Sequence, residues 1–111
     1  MTEKEPNDLP IRFDEGPCAQ HKTIHKYSLE MVNQQKVVLP KNARILTIQF
    51  QEGDPKLWYL FDTKEEETEE RLIELFGTGH ILVYNEDIAR KYISTVVEEE
   101  LVFHFFERND A

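Results

Sequence analysis

The chain has 111 residues, 40% of them hydrophobic, 12 aromatics (one Trp, four Tyr, seven Phe) and a formal net charge of −9. That is the size of one domain with a modest packed core, which excludes a wholly disordered chain. The acidic balance opposes non-specific nucleic-acid binding, because phosphate is repelled, and suits solubility or a basic protein partner.

Cys18 is the single cysteine, so no internal disulfide is possible and a reducing compartment fits. No apolar run approaches the roughly 18 residues needed to span a bilayer. The opening "MTEKEPNDLP" has no apolar segment of signal-peptide type. These features predict a soluble, cytoplasmic protein without a membrane partner.

Residues 1–22 hold three of the five prolines, five acids and three bases, with no periodicity. They read as a flexible acidic N-terminal arm. From Thr23 the pattern changes. "TIHKYSLE" (23–30) alternates His25, Tyr27 and Leu29 against Ile24, Lys26 and Ser28, the period of a strand. "QKVVLP" (35–40) is a second strand stopped by Pro40, and "LPKNA" is a turn. "RILTIQFQ" (44–51) places Leu46, Ile48 and Phe50 on one wholly apolar face, expected to meet the core. After the turn "QEGDP", "KLWYLFD" (56–62) is apolar on both faces, as a central strand is, and forms a hairpin with 44–51.

"TKEEETEE" (63–70) is a charge run that reads as a solvated loop. "RLIELF" (71–76) alternates again, and "HILVY" (80–84) is expected as a strand. Asn85 caps a short expected helical turn within 85–94, with Ile88 and Tyr92 four apart. "YISTVV" (92–97) and "LVFHFF" (101–106) form a hairpin with Glu98, Glu99 and Glu100 at a solvent-facing tip. The expected fold is mainly β: about seven short, mostly antiparallel strands in a small sandwich or partly closed barrel, with at most one short helix. Residues 23–107 form the single domain and 108–111 a short tail.

Candidate chemistry is thin. "LFGTGHILV" (75–83) fails both phosphate motifs: position 82 is Leu where a dinucleotide fingerprint needs Gly, and His80 stands where a Walker loop needs Lys. The two glycines read better as a place where the chain turns. Gly77, Thr78, Gly79 and His80 remain a candidate ligand rim. His21, His25, His80 and His104 lack zinc spacing, and His104 reads as a satisfied sheet histidine. A site would need His25, His80 and His104 to converge. Trp58 and Tyr59 read mainly as core, with one of the two free to point outward as an interface anchor.

Taken together, "HKYSLE", "VVLPKNARILTIQFQ", "LWYLFD", "FGTGH", "KYISTVV" and "LVFHFFE" resemble, in order and spacing, a small uncharacterised domain family of bacteriophage and bacterial genomes. The resemblance spans roughly residues 25–107. It implies a phage or prophage setting and carries over no catalytic residues, because the family has no assigned activity.

Three functions follow as expectations. The first is a non-enzymatic accessory protein in the host bacterial cytoplasm, needing no cofactor or metal. It binds a host protein and competes for a nucleic-acid-binding surface, without touching nucleic acid itself. Trp58, Tyr59, Glu65, Glu66, Glu67, Glu98, Glu99 and Glu100 are its candidate interface. The second is a small-ligand or nucleotide binder, or an enzyme, using the Gly77–His80 loop. The third is a homo-oligomer or virion component built by strand addition.

Overall fold

In the computed structural model, which describes residues 19–110, the alternating segments become seven strands. They are β1 (Lys22–Ser28), β2 (Gln34–Pro40), β3 (Arg44–Gln51), β4 (Asp54–Asp62), β5 (Thr68–Gly77), β6 (Arg90–Glu98) and β7 (Leu101–Arg108). All pairings are antiparallel and give two sheets, ordered β1-β4-β3 and β2-β5-β7-β6. The mainly β sandwich expected from the sequence is present, the barrel is not closed, and no helix occurs among the described residues. The N-terminal arm lies outside the described residues up to Cys18, and Lys22 already belongs to β1.

The core lies between the sheets. Phe105, Leu39, Ile48, Leu57, Ile73 and Val37 are its largest fully buried side chains, each worth roughly 1.5–3 kcal/mol of burial. Tyr27, Ile45, Phe50, Tyr59, Phe61, Ile93 and Phe103 pack around them. The β4 assignment holds: it is the central strand of its sheet, flanked on both sides.

The expected inward face of β3 is corrected at one position. A bulge lies between Ile45 and Thr47, so Leu46 is the extra residue. One inserted residue reverses the alternation ahead of it. Ile45 therefore packs on the core, and Leu46 is exposed. A matching bulge lies between Tyr92 and Ser94 on β6. There Ser94 joins the edges of the two sheets: its Oγ donates to Ile48 O at 2.7 Å and accepts from Ile48 N–H at 3.2 Å. One buried hydroxyl thus satisfies both backbone groups that β3 turns away from β4.

The segment after β5 departs from expectation. β5 and β6 flank β7 and run parallel to each other, so residues 78–89 must cross from one end of the sheet to the other. Both edges of β7 are already taken, and the crossover passes over the outer face of the sheet, where "HILVY" pairs with no strand. The strand at 80–84 does not form. The short turn expected after Asn85 is a single one, with Asn85 accepting from Asp87 N–H at Oδ1 (2.8 Å) and from Ile88 N–H at its carbonyl (3.3 Å), and β6 begins at Arg90.

Arg90 clips this crossover to the outer face of the sheet. Its Nη1 donates to Val83 O at 2.7 Å, and its Nε donates to Glu74 at 2.8 Å. Its guanidinium lies 4.7 Å from the Tyr84 ring centroid and 5.4 Å from that of Phe76.

Candidate functional site

The β3–β4 and β6–β7 hairpin tips lie side by side at one end of the sandwich. Ser94 fixes β6 against β3, and nearer the tips the rings of Phe50 and Phe103 stand 6.0 Å apart. Both tips are two-residue turns, closed by the pairs Gln51–Asp54 and Glu98–Leu101. Each holds a glutamate in the left-handed region: Glu52 at φ 54° and Glu99 at φ 57°. That conformation costs a side chain roughly 1–2 kcal/mol, and turns of this kind normally choose Asn, Asp or Gly.

The Gly77–His80 turn opens at the same end, because Gly77 pairs with Phe103 and Thr78 N–H donates to Val102 O (3.3 Å). The turn is built around its own histidine. Gly77 N–H donates to His80 Nδ1 at 3.0 Å, and His80 N–H donates to Gly77 O at 3.1 Å. A Cβ on residue 77 would stand 3.2 Å from His80 Cε1, so glycine makes room for the imidazole. Gly79 supplies the positive φ of 94° that closes the turn. Three of the four backbone N–H groups in the turn are therefore spent inside the protein. No nest of free donors awaits an anion here.

Open depressions of about 500 and 480 Å³ flank His80. Leu75, Phe76 and Ile81 line the first, and Leu101, Val102 and Phe103 the second, with Glu100 at its rim. Ile81, Val97 and Leu101 are exposed by 88%, 65% and 61%, so the floor of this end is apolar while its tips are acidic.

Among the described residues, all seven ion pairs use Lys36, Lys41, Arg71, Arg90 and Arg108. None involves Glu30, Glu52, Asp54, Glu98, Glu99 or Glu100, the carboxylates of this end.

The expected site residues thus fall into separate places. Gly77, Thr78, Gly79 and His80 come together with Glu98, Glu99 and Glu100. Glu65, Glu66 and Glu67 lie at the opposite end, in the β4–β5 loop, where Glu67 pairs with Lys41. Tyr59 packs on the core, and Trp58 is on the outer face of the three-stranded sheet.

The histidines do not converge. His25 lies on β1 against Phe61, ring centroids 4.9 Å apart. His104 faces outward from the other sheet, and His80 is in its turn. No metal-holding group of His, Cys, Asp or Glu occurs among the described residues.

His104 is the satisfied sheet histidine that the alternation suggested. Its Nε2 shares a proton with Thr78 Oγ1 at 2.8 Å and its Nδ1 with Thr95 Oγ1 at 2.9 Å. Thr95 continues to Tyr92 OH at 2.7 Å. Hydroxyls both donate and accept, so either imidazole tautomer keeps the chain intact.

Sequence reasoning missed the arginine–carboxylate pairs. Glu107 is buried and accepts from Arg71 Nη2 at 3.0 Å and from its Nε, while Arg71 Nη1 also reaches Ala43 O at 2.8 Å. Glu74 is buried between Arg90 Nε (2.8 Å) and Arg108 Nη1 (3.1 Å). Arg108 in turn grips Asp110, whose carboxylate also accepts from Ala89 N–H at 2.7 Å. Hydrogen bonds from Arg108, then from Ala89 N–H, hold the Asp110 carboxyl below the usual carboxylate range, and those that Arg71 donates to Glu107 and Arg90 to Glu74 raise the two guanidiniums. The available signal was a single acid inside each of two apolar strand runs, "RLIELF" and "FHFFER".

No curated protein and no solved structure matches the chain. Residues 20–111 match the model of a family described as "Domain of unknown function (DUF7352)", and the chain belongs to that family.

Proposed function

We propose that this chain is a phage-type accessory protein that acts by contact. It docks the end formed by the β3–β4 and β6–β7 tips on a basic surface of a host protein in the bacterial cytoplasm, and competes there with nucleic acid. One observation carries the reading. Six carboxylates gather at that end outside every ion pair among the described residues, and two of them, Glu52 and Glu99, are held in a conformation that glutamate pays to adopt. Unpaired charge on a strained tip favours a partner over internal stability, and the exposed Leu101, Val97 and Ile81 supply apolar contact beside it. The resemblance to a domain of phage and bacterial genomes supports the setting.

The test is affinity capture from nuclease-treated bacterial lysate at modest salt. The bait is either the natural chain or a variant with Glu52, Glu98, Glu99 and Glu100 all changed to Gln. The natural chain should retain a nucleic-acid-binding protein that the variant loses and that added DNA or RNA displaces. Equal capture by both baits, or capture of nothing, sinks the reading. A melting temperature that rises with a nucleotide or a divalent metal would instead assign the depressions beside His80 to a small ligand.

A further inference from the structure

The outer face of the three-stranded sheet differs from the rest of this acidic molecule. Lys22, Ile24, Lys26 and Ser28 of β1 stand directly opposite Asp62, Leu60, Trp58 and Lys56 of β4. Arg44 of β3 stands opposite Leu60. Lys26, Lys56 and Arg44 therefore lie around Trp58, with Lys22 further along β1, and none of the four belongs to an ion pair among the described residues. Lys26 Nζ reaches only Gln51 Oε1 (2.7 Å), and Lys56 Nζ only Ser28 Oγ (2.8 Å). In a chain of net charge −9, this face sets four cations against Asp54 and Asp62 and is net positive.

The same face ends on an open strand. β1 pairs with β4 on one side only, and among the described residues nothing pairs with its other side. Its seven residues contain no proline and its register with β4 no bulge. The other edges are less accessible: β3 and β6 are joined through Ser94, and β2 ends in Pro40 with Lys36 already paired to Glu70.

We propose that the free edge of β1 takes up an extended acidic segment of a partner protein as a fourth strand, whose carboxylates meet Lys22 and Lys26 across the new ladder. Main-chain hydrogen bonds supply affinity, and alternate side chains supply specificity. A segment in which acidic and apolar residues alternate at every second position, so that both lie on one face, sets its acids against the two lysines and an apolar residue against Ile24, which is 52% exposed. A second copy of this chain is selected against. The register that joins two Ile24 side chains sets Lys22 of each copy opposite Lys26 of the other. Single-stranded nucleic acid would use the cations but leave the backbone edge unpaired, and the net negative charge repels it at longer range.

Trp58 is the only tryptophan, so its emission reports on this face. The experiment titrates the full chain with a ten-residue probe peptide repeating Glu-Thr-Val-Thr, which alternates glutamate and valine along one face of a strand. Fluorescence is read, and amide exchange is followed along β1. Saturable change in Trp58 emission, with slowed exchange in β1, is expected. The double variant Lys22→Glu/Lys26→Glu should weaken binding at least about tenfold, and the same peptide with lysine in place of glutamate should not bind. Both lysines are exposed, so the variant should fold, which circular dichroism checks. No saturable change at millimolar peptide, unchanged affinity in the double variant, tighter binding of an oligonucleotide than of the peptide, or dimerisation through β1 on light scattering would each overturn the proposal.

Discussion

The two ends of this sandwich use the same side chain for opposite purposes. Where β7 finishes and β6 begins, Glu74 and Glu107 are only 5% and 4% exposed, and each is bridged by arginine. At the hairpin tips, Glu52, Glu98, Glu99 and Glu100 stand outside every ion pair among the described residues. Glu107 with Arg71 closes the open end of the small core, and Glu74 with Arg90 and Arg108 holds the crossover to the outer face, each with charges that satisfy one another. The set at the tips contributes nothing to packing and, at Glu52 and Glu99, opposes the local backbone preference. Net charge therefore understates the division of labour: part of the acidity is architecture, and part is available to a partner.

Removing a carboxylate from each set breaks the comparison most sharply. Glu107→Ala leaves the partly buried Arg71 guanidinium only Ala43 O and the half-exposed Glu69, and a loss of about 3 kcal/mol is expected, read as a shift in the urea midpoint. Replacing both partners, as Arg71→Met with Glu107→Leu, should restore most of it, because a buried pair exchanged for apolar packing is often neutral. Glu100→Ala at the other end should stay within about 0.5 kcal/mol. Equal losses at the two positions would erase the distinction.

Ser94→Ala tests whether the framework that holds the two tips together is the hydroxyl stitch. The variant leaves Ile48 N–H and C=O without their partner at a buried edge, which should cost about 1–3 kcal/mol. Amide exchange should accelerate in β3 and β6 and much less in β1 and β2. Uniform acceleration would mean that the serine contributes only general packing.

How much of this was legible follows from where the partners lie in the chain. Strand periodicity is a local signal, so β1, β3, β4 and the β6–β7 hairpin could be read directly. The bulge at Leu46 could not, because "RILTIQFQ" alternates without interruption. The insertion is set by the meeting of β3 with β6, more than 40 residues away. The crossover is hidden for a related reason: "HILVY" has strand composition, yet the connection between the parallel β5 and β6 runs over the face of the sheet rather than along an edge. Glu74 looked like one polar residue on an alternating strand because its arginines are 16 and 34 residues distant. The Gly77–His80 turn was the reverse case. Its glycines and its histidine are close neighbours, and reading them as a turn matches the geometry, although the imidazole folding back onto Gly77 was not foreseeable. Trp58 and Tyr59 divided as strand alternation requires, one outward and one inward.

Glu52→Asn sharpens the contrast at the tips. Asparagine tolerates the left-handed region that Glu52 occupies, and Gly53 follows it, so the turn gains a favoured pair. A stabilisation of about 0.5–1 kcal/mol is expected. Under the proposed function the same change should weaken capture of the host protein. Higher stability with undiminished capture would show that the carboxylate at this tip is incidental.

The smallest effect is a pH dependence confined to the architectural end. Arg108 and Ala89 N–H hold the Asp110 carboxyl below its ordinary value of 3.8. A group depressed in the folded state stabilises the fold above its unfolded value and loses that contribution as pH falls through the folded one. Asp110→Asn should therefore be less stable than the natural chain at neutral pH, and the two stability curves should converge below about pH 4. Because Asp110 also ties Ala89 at the end of the crossover, the variant should show faster amide exchange at the start of β6 at pH 7, a difference that shrinks as pH falls below about 4. A gap that persists at low pH would mean that Asn109 N–H, donating to Ala89 O at 2.8 Å, holds the crossover without help from the charge.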